Sequence, residues 1–247
     1  MMLRAALAFF TRLPVGSAPL PSSFRGIMIW FPVVGLIVGG LAALLTGVAA
    51  LRLPAPLCGV LGCLAWVLIT GGLHLDGVAD CGDGLLVEAP PARRLEIMKD
   101  SRLGTFGGTA LFFVLALKAT ALGTLVASFD AGWNAFFALA GVCCMAATLA
   151  RSLAVAAMRL PTARPGGLGA MMNDGITRRG ELIALALGLG ICLLNGTRGL
   201  VGLIAGLLMA WLLLTAARKR LGGVTGDVFG CLTESVECAV LVACCLT

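Results

Sequence analysis

The chain has 247 residues, of which 60% are hydrophobic and only 12% are charged, and its formal net charge is +6. Soluble domains carry about 25% charged residues, so this composition excludes an ordinary water-soluble protein and predicts an all-α, polytopic integral membrane protein. The surplus of basic residues does not require nucleic acid, because in membrane proteins it commonly reports which loops face the cytoplasm. We expect the lipid bilayer, and no nucleic acid, among its partners.

Apolar runs close to the ~20 residues that cross a bilayer core predict about seven transmembrane helices in a single membrane domain covering 1–247. The fifth run is short, so it could be tilted, broken or joined to its neighbour. The patterns GLIVG at 35–39 and GLIAG at 202–206 offer small faces for close helix packing. In chain order, the predicted spans are about 27–50, 56–73, 107–127, 133–158, 181–194, 199–215 and 229–246.

Basic residues are concentrated in alternate connections between these spans. The N-terminal stretch and the loops 74–106, 159–180 and 216–228 carry fourteen Lys and Arg residues, whereas the other connections carry only Arg52 and Arg198. Cytoplasmic loops are enriched in Lys and Arg, so we predict that these four connections are cytoplasmic. Most acidic residues lie in or beside the same loops, which predicts an active site at the cytoplasmic face.

The segment GGLHLDGVADCGDG, residues 71–84, follows the second span and contains the only histidine, His74. If it is helical, Asp76, Asp80 and Asp83 lie at i, i+4 and i+7 and share one face. Such carboxylates repel one another unless a cation neutralises them, and Mg²⁺ binds a few carboxylates together with water and phosphate oxygens. A solvated acidic loop is the alternative. His74 could be a ligand, a base or a satisfied structural residue.

The next polar segment, RRLEIMKDSRLGTFGG at 93–108, mixes basic residues with glycines. Basic side chains before a glycine-rich turn into a helix are typical of a phosphate cradle, although the P-loop pattern is absent. The alternative is positive-inside charge followed by a capping turn, which accounts for the basic residues but not for the glycines.

A second acidic group lies in LGGVTGDVFGCLTESVE, residues 221–237. On a helix, Asp227, Glu234 and Glu237 share a face, and acids in an apolar run are commonly functional. The alternative is a structural ion pair with Arg151 or Lys118, the two bases inside predicted spans. Together, the residues favour a membrane-embedded enzyme that uses Mg²⁺ to displace a group on a phosphate anhydride, a phosphotransferase or phosphatase.

These segments, with FFTRLPV at 9–15 and RGIMIWFPVVG at 25–35, follow one another in an order and spacing that extend over nearly the whole chain. In them the sequence resembles the cobalamin 5'-phosphate synthase, or adenosylcobinamide-GDP ribazoletransferase, family. The resemblance implies that a hydroxyl of α-ribazole, or of its 5'-phosphate, attacks the phosphorus nearer cobinamide in adenosylcobinamide-GDP. GMP then leaves, and adenosylcobalamin or its 5'-phosphate forms. It also implies Mg²⁺ as cofactor and the bacterial inner membrane as location, with a homo-oligomer or a complex with other cobalamin-assembly enzymes left open.

Spacing and resemblance together suggest a role for each of these polar residues. The metal ligands are expected to be Asp76, Asp80, Asp83, Asp227 and Glu234. Lys99 and Arg102 are expected to hold the diphosphate, and His74 or Asp83 to accept the ribazole proton. The expected substrate-binding residues are Arg12, Arg25, Asp100, Gly104, Arg151, Gly223, Thr225 and Glu237.

Two other classes of protein compete with this interpretation. A CDP-alcohol phosphatidyltransferase also uses aspartates on helices at a membrane boundary, but its Asp and Arg form one compact run, whereas here Asp80 is followed by Cys-Gly-Asp-Gly. A cation or corrinoid transporter would spread its acids through the spans, and here the acids gather on one face.

Overall fold

The computed structural model describes residues 1–16, 24, 26–129 and 132–247. Within these ranges the chain forms eleven α-helices and one 3-10 turn, Met28–Trp30, and its only extended pairing is a single bridge between Thr162 and Val224. The all-α prediction is therefore confirmed. The helices are α1 Met2–Phe10, α2 Phe31–Ala50, α3 Ala55–Thr70, α4 Leu73–Leu86, α5 Pro91–Ile97, α6 Thr105–Ser128, α7 Trp133–Ala157, α8 Leu168–Asp174, α9 Arg178–Leu194, α10 Gly196–Leu221 and α11 Gly226–Cys244.

Among the described residues, four helical segments are long and apolar enough to cross a membrane. The pair α3 and α4 raises the number to five if it counts as one broken span. Helices α9 and α11 coincide with the predicted fifth and seventh spans, but α9 has only 17 residues and α11 contains three acids. The count of seven thus stays a prediction. The four segments are Met28–Ala50, Thr105–Ser128, Trp133–Ala157 and Gly196–Leu221.

The chain bends by 98° between α3 and α4. Gly71 and Gly72 make the turn with φ angles of 66° and 70°, in the left-handed region that favours glycine. The acidic segment is therefore helical, as predicted, but it does not continue the preceding helix. The bend carries α4 out of line with α3, and α4 then packs against α6 and α11.

Small residues let the helices approach closely, as the two glycine patterns predict. A Cβ atom on Gly35 or Gly39 of α2 would overlap the carbonyl oxygen of Ala147 or Cys143 on α7. The second pattern, at 202–206, lies against side chains of α7 and α11. Both faces are therefore packing surfaces, and α2 lies backbone to backbone with α7.

The connections predicted to be cytoplasmic meet at one end of the bundle. The Val224 N–H donates to the Pro161 carbonyl at 2.9 Å, which joins the loop before α11 to the segment after α7. Arg164 donates to the Leu95 carbonyl of α5 at 3.2 Å. Residues far apart in sequence thus form one polar end, and the acidic segment of α4 lies within it.

Four charged side chains meet in the interior between α6, α7 and α11. Lys118 Nζ lies 2.5 Å from Glu234 Oε2 and 2.7 Å from Glu237 Oε2. Arg151 Nη1 lies 2.5 Å from Glu237 Oε1. All four residues are at most 2% exposed. The two bases balance the two acids, so the buried network, defined as Lys118, Arg151, Glu234 and Glu237, carries no formal net charge.

Replacing Lys118 with Met should strongly destabilise the fold, because it leaves buried carboxylate charge without its shared partner. Removing one member of a buried ion pair costs about 3–5 kcal/mol, and the thermal unfolding midpoint in detergent should fall accordingly. The double variant Lys118→Met/Glu234→Gln removes one charge of each sign and should recover part of this loss. Lys219→Met, at an exposed position of α10, is the control. A Lys118→Met protein as stable as the control would contradict the network's role.

Candidate functional site

A pocket of about 190 Å³ opens at the polar end of the bundle. Its walls come from the end of α1, the starts of α2, α4 and α11, and the segment 158–172. Phenylalanine and methionine side chains form most of the buried wall, whereas the charged groups lie nearer solvent. The pocket therefore has an apolar floor and a charged mouth. Its polar lining residues are His74, Asp76, Arg164, Thr225 and Asp227.

The three aspartates of α4 share a helix but not the same surroundings. Asp76 is exposed and lines the pocket, while Asp80 and Asp83 are half-buried further along the helix. Asp83 faces the start of α6, where its two carboxylate oxygens accept the N–H groups of Gly104 and Gly107, both at 2.8 Å. Asp76 therefore faces the pocket and Asp83 fixes the start of α6, while Asp80 lies between them along the helix.

The glycines expected to cradle a phosphate hold Asp83 instead. A Cβ atom on Gly104 or Gly107 would overlap the Asp83 carboxylate, so this close approach requires glycine at both positions. A carboxylate at a helix N-terminus is stabilised by the free N–H groups and the helix dipole. In this structure the Gly104 N–H donates to an anion of the same chain, and substrate binding by Gly104 stays a prediction.

Asp227 reaches the mouth because α11 crosses α4 very closely. At Gly77, an added Cβ would overlap the Asp227 carbonyl oxygen. Thr225 caps α11 and donates from Oγ1 to Asp227 Oδ2 at 3.3 Å. The crossing brings the Asp227 carboxylate into the electrostatic field of Asp76 and Asp80. Three like charges from two helices therefore face the same region.

These carboxylates fit a hard cation that also binds water and substrate better than a cation enclosed by protein ligands alone. Among the described residues, no three His, Cys, Asp or Glu side chains form a ready-made set of metal ligands. Magnesium usually takes only one or two carboxylates and completes its shell with water and substrate phosphates. Asp76, Asp80 and Asp227 supply such carboxylates, and their mutual repulsion favours a cation between them.

Arg164 is a site residue that sequence reasoning counted only as loop charge. Its Nη1 lies 3.4 Å from Asp227 Oδ2, its Nη2 donates to the Leu95 carbonyl at 3.2 Å, and its buried Nε has no hydrogen-bond partner. Of the Lys and Arg residues that the structure describes, Arg164 alone lines the pocket. The sequence feature that could have indicated this role is Arg-Pro-Gly-Gly at 164–167, where a rigid proline and two flexible glycines follow a basic side chain in a long loop.

The basic segment before α6 lies on the surface. Arg102 Nε and Nη2 donate to both oxygens of Asp100, at 2.5–3.1 Å. These hydrogen bonds lower the pKa of Asp100 to about 2, and Asp100 in turn raises the pKa of Arg102. Lys99 is exposed beside them. Because exposed ion pairs contribute little stability, an incoming phosphate can replace Asp100 as the partner of Arg102.

Other predicted substrate-binding residues stabilise the surroundings of the pocket. Arg12 is exposed, and its side chain lies over Gly71 at the turn between α3 and α4. Gly223 lies so close to the Pro161 carbonyl oxygen that a Cβ atom would overlap it. Of this group only Thr225 lines the pocket. Arg25 lies outside the described residues.

His74 lies on the floor of the pocket. It is 4% exposed, and its ring centroid lies 6.4 Å from that of Phe10 and 5.9 Å from that of Phe31. Within the part of the chain that the structure describes, neither ring nitrogen has a hydrogen-bond partner. His74 is therefore not a satisfied structural histidine in this structure.

Three residues expected at the site lie in the buried network. Glu234 was expected to ligate metal, and Glu237 and Arg151 to bind substrate, yet none lines the pocket and each is at most 2% exposed. A ligand role would take Glu234 from Lys118, which would then have to share Glu237 with Arg151. The structural ion pair, the alternative for this segment, is what the structure contains.

Comparison with known proteins agrees with the resemblance in these motifs. The sequence pattern described as cobalamin-5-phosphate synthase matches residues 2–245. The chain belongs to the cobalamin-5-phosphate synthase family. It is 38% identical to the adenosylcobinamide-GDP ribazoletransferase of Klebsiella pneumoniae (strain 342), over 97% of both chains. It is 41% identical to the enzyme of that name from Stutzerimonas stutzeri, over 97% of this chain and 96% of the relative.

A third relative has the same name and a similar sequence identity to this chain. The adenosylcobinamide-GDP ribazoletransferase of Pseudomonas paraeruginosa is 38% identical over 98% of this chain and 96% of its own. No solved structure matches the chain significantly. In this family member the segments 71–84, 93–108 and 221–237 converge on the same end of the bundle, and 71–84 and 221–237 both line the pocket.

Replacing Asp83 with Ala should destabilise the protein, because two N–H groups at the start of α6 lose their acceptor. The loss of a helix cap costs about 1–2 kcal/mol, measurable as a lower thermal unfolding midpoint in detergent. Asp76→Ala, on the same helix but exposed, is the matched control and should unfold close to wild type. Equal midpoints for the two variants would contradict the capping role of Asp83.

Proposed function

We propose that this chain joins adenosylcobinamide-GDP to α-ribazole, or to its 5'-phosphate, giving adenosylcobalamin or its 5'-phosphate and GMP. The family match over residues 2–245 and the printed names of the relatives support this reaction. The observation that carries it is the mouth of the pocket, which Asp76, Asp227 and Arg164 line, with Asp80 within electrostatic reach of both carboxylates. Surplus negative charge at that point suits an enzyme that handles phosphates through a divalent cation.

The substrate brings a diphosphate, whose negative charge must be offset before a hydroxyl can attack it. Magnesium, held by Asp76, Asp80 and Asp227, would neutralise that charge and stabilise the departing GMP. Arg164 would orient a phosphate oxygen, because it lines the pocket and its Nε has no hydrogen-bond partner among the described residues. An arginine fork suits this task since it can donate two parallel hydrogen bonds.

Lys99 and Arg102 are proposed to hold the diphosphate of the nucleotide. Both are exposed just before α6, and α6 is bound to α4 through Asp83. This connection links the basic segment to the acidic helix. Arg102 would exchange its surface partner Asp100 for the phosphate when substrate binds.

The proton of the ribazole hydroxyl is proposed to pass to a carboxylate at the mouth. Both oxygens of Asp83 already accept N–H bonds, and His74 lies on the buried floor. Asp76 and Asp227 line the pocket where solvent can enter. Because a base must lie within hydrogen-bond reach of its proton, we propose Asp76 or Asp227 for this role in place of Asp83 or His74.

The protein is proposed to lie in the bacterial inner membrane with its pocket facing the cytoplasm. The uneven distribution of Lys and Arg between connections supports this orientation, and so does the convergence of the basic loops at the pocket end. A transporter is less well supported. The buried acids of the described residues, Glu234 and Glu237, lie on one helix and are neutralised by bases.

The purified protein in detergent or vesicles should release GMP when given adenosylcobinamide-GDP and α-ribazole 5'-phosphate with Mg²⁺. Chelation should stop the release and added Mg²⁺ should restore it, because the diphosphate charge is no longer offset without the cation. GMP and the corrinoid product would be followed by chromatography. No turnover in a folded, Mg²⁺-supplied protein would refute the reaction, while turnover unchanged by chelator would refute the metal. CDP-diacylglycerol, which should not react, tests the rival transferase.

Asp80→Asn should lower GMP release by about a hundredfold or more, since the cation supplies several kcal/mol of transition-state stabilisation. The substitution keeps the side chain's size, so the thermal unfolding midpoint should stay near wild type. Glu88→Gln is the matched control, because Glu88 is exposed and lies outside the pocket. Near-wild-type turnover by Asp80→Asn would remove Asp80 from the metal site.

A further inference from the structure

The floor of the pocket is a closed aromatic surface. Phe10, Phe31 and Phe229 are each at most 4% exposed, and the Phe10 and Phe31 ring centroids are 4.2 Å apart. Met158 and Met172, also buried, complete it. Aromatic rings and methionine sulfur pack favourably against flat aromatic ligands. The shape and chemistry of the floor thus suit an aromatic ring rather than a phosphate.

His74 contributes a buried polar side chain to this floor. Among the described residues, that side chain has no hydrogen-bond partner. Its two ring nitrogens are buried without hydrogen bonds. A buried polar group costs free energy until it is hydrogen-bonded. A ligand that offers a single acceptor nitrogen in an otherwise apolar ring would satisfy one N–H of His74 and leave none of its own polar groups unpaired.

The volume of the pocket indicates which of the two substrates of the proposed reaction can enter it. A cavity of about 150 Å³ holds one benzene ring, so about 190 Å³ suits a slightly larger fused ring system. Pockets for larger ligands span about 300–1,000 Å³, which excludes the corrinoid from this floor. A guanine or adenine ring carries several donors and acceptors, and those groups would stay unpaired against phenylalanine and methionine.

We propose that this floor, formed by Phe10, Phe31, Phe229 and His74, binds the benzimidazole base of ribazole. The His74 N–H donates to the ring nitrogen that is not bonded to the sugar. The base then lies among the aromatic rings, and the sugar hydroxyls extend toward Asp76 at the mouth. The inference rests on the proposed function for the identity of the substrate, and it makes His74 a specificity-determining residue rather than the base.

The test compares α-ribazole 5'-phosphate with an analogue whose free ring nitrogen is replaced by C–H, an indole ring. Wild type should show a KM about three- to tenfold lower for the benzimidazole form, the value of one neutral hydrogen bond. His74→Phe keeps the ring but removes the donor. It should raise the KM for the benzimidazole form to that of the indole form and leave the KM for adenosylcobinamide-GDP unchanged. Phe113→Leu, exposed on α6, is the control.

A second measurement needs no variant and no turnover. α-Ribazole should raise the thermal unfolding midpoint of the wild-type protein more than the indole nucleoside does at equal concentration, because a bound ligand stabilises the fold according to its affinity. Equal stabilisation by the two rings, or a ring preference retained in His74→Phe, would overturn the base pocket. Ring-selective stabilisation without any GMP release would refute the proposed reaction and still support the base pocket.

Discussion

The fold depends on a neutral group of buried charges at the centre of the helical bundle. Lys118 and Arg151 neutralise Glu234 and Glu237 in an interior where an unpaired charge would cost several kcal/mol. The network also reaches beyond its own helices, since Lys118 Nζ lies 4.9 Å from the ring centroid of Trp66 on α3. It therefore fixes α6, α7 and α11 to the rest of the bundle, and α11 in turn holds its acidic first turn against α4.

Charge balance distinguishes the acids of the interior from those near the pocket. Glu234 and Glu237 each have a basic partner in the interior. At the mouth of the pocket, by contrast, Asp76 and Asp227, with Asp80 in electrostatic reach, have Arg164 as the one neighbouring Lys or Arg that the structure describes there. Uncompensated carboxylates at a solvent-facing position bind a cation at little cost, whereas the same groups in the core would need a base. Each acidic group of the sequence is thus divided, since Asp83 holds α6 and the two glutamates are paired with bases, whereas Asp76 and Asp227 line the pocket.

Sequence alone determined the membrane class, the helical fold, the family and the segments that form the site. Long apolar runs can satisfy their backbone only as helices in a membrane, and a spacing of four and then three residues aligns Asp76, Asp80 and Asp83 on any helix. The membrane class and the helices depend on local periodicity and composition, and the family depends on the resemblance of the motifs. They therefore needed no knowledge of which helices touch.

Tertiary structure decided which of these residues face the pocket, because pairing across the bundle depends on distances between helices. Lys118 and Glu234 are 116 residues apart, and only the packing of α6 on α11 makes them partners. Asp83 similarly meets Gly104 and Gly107 through the contact of α4 with α6. The sequence shows Arg164 only as loop charge, whereas the bridge between Thr162 and Val224 holds its segment beside the start of α11. Sequence supplied the charged groups, and helix packing decided which of them are neutralised and which remain for substrate.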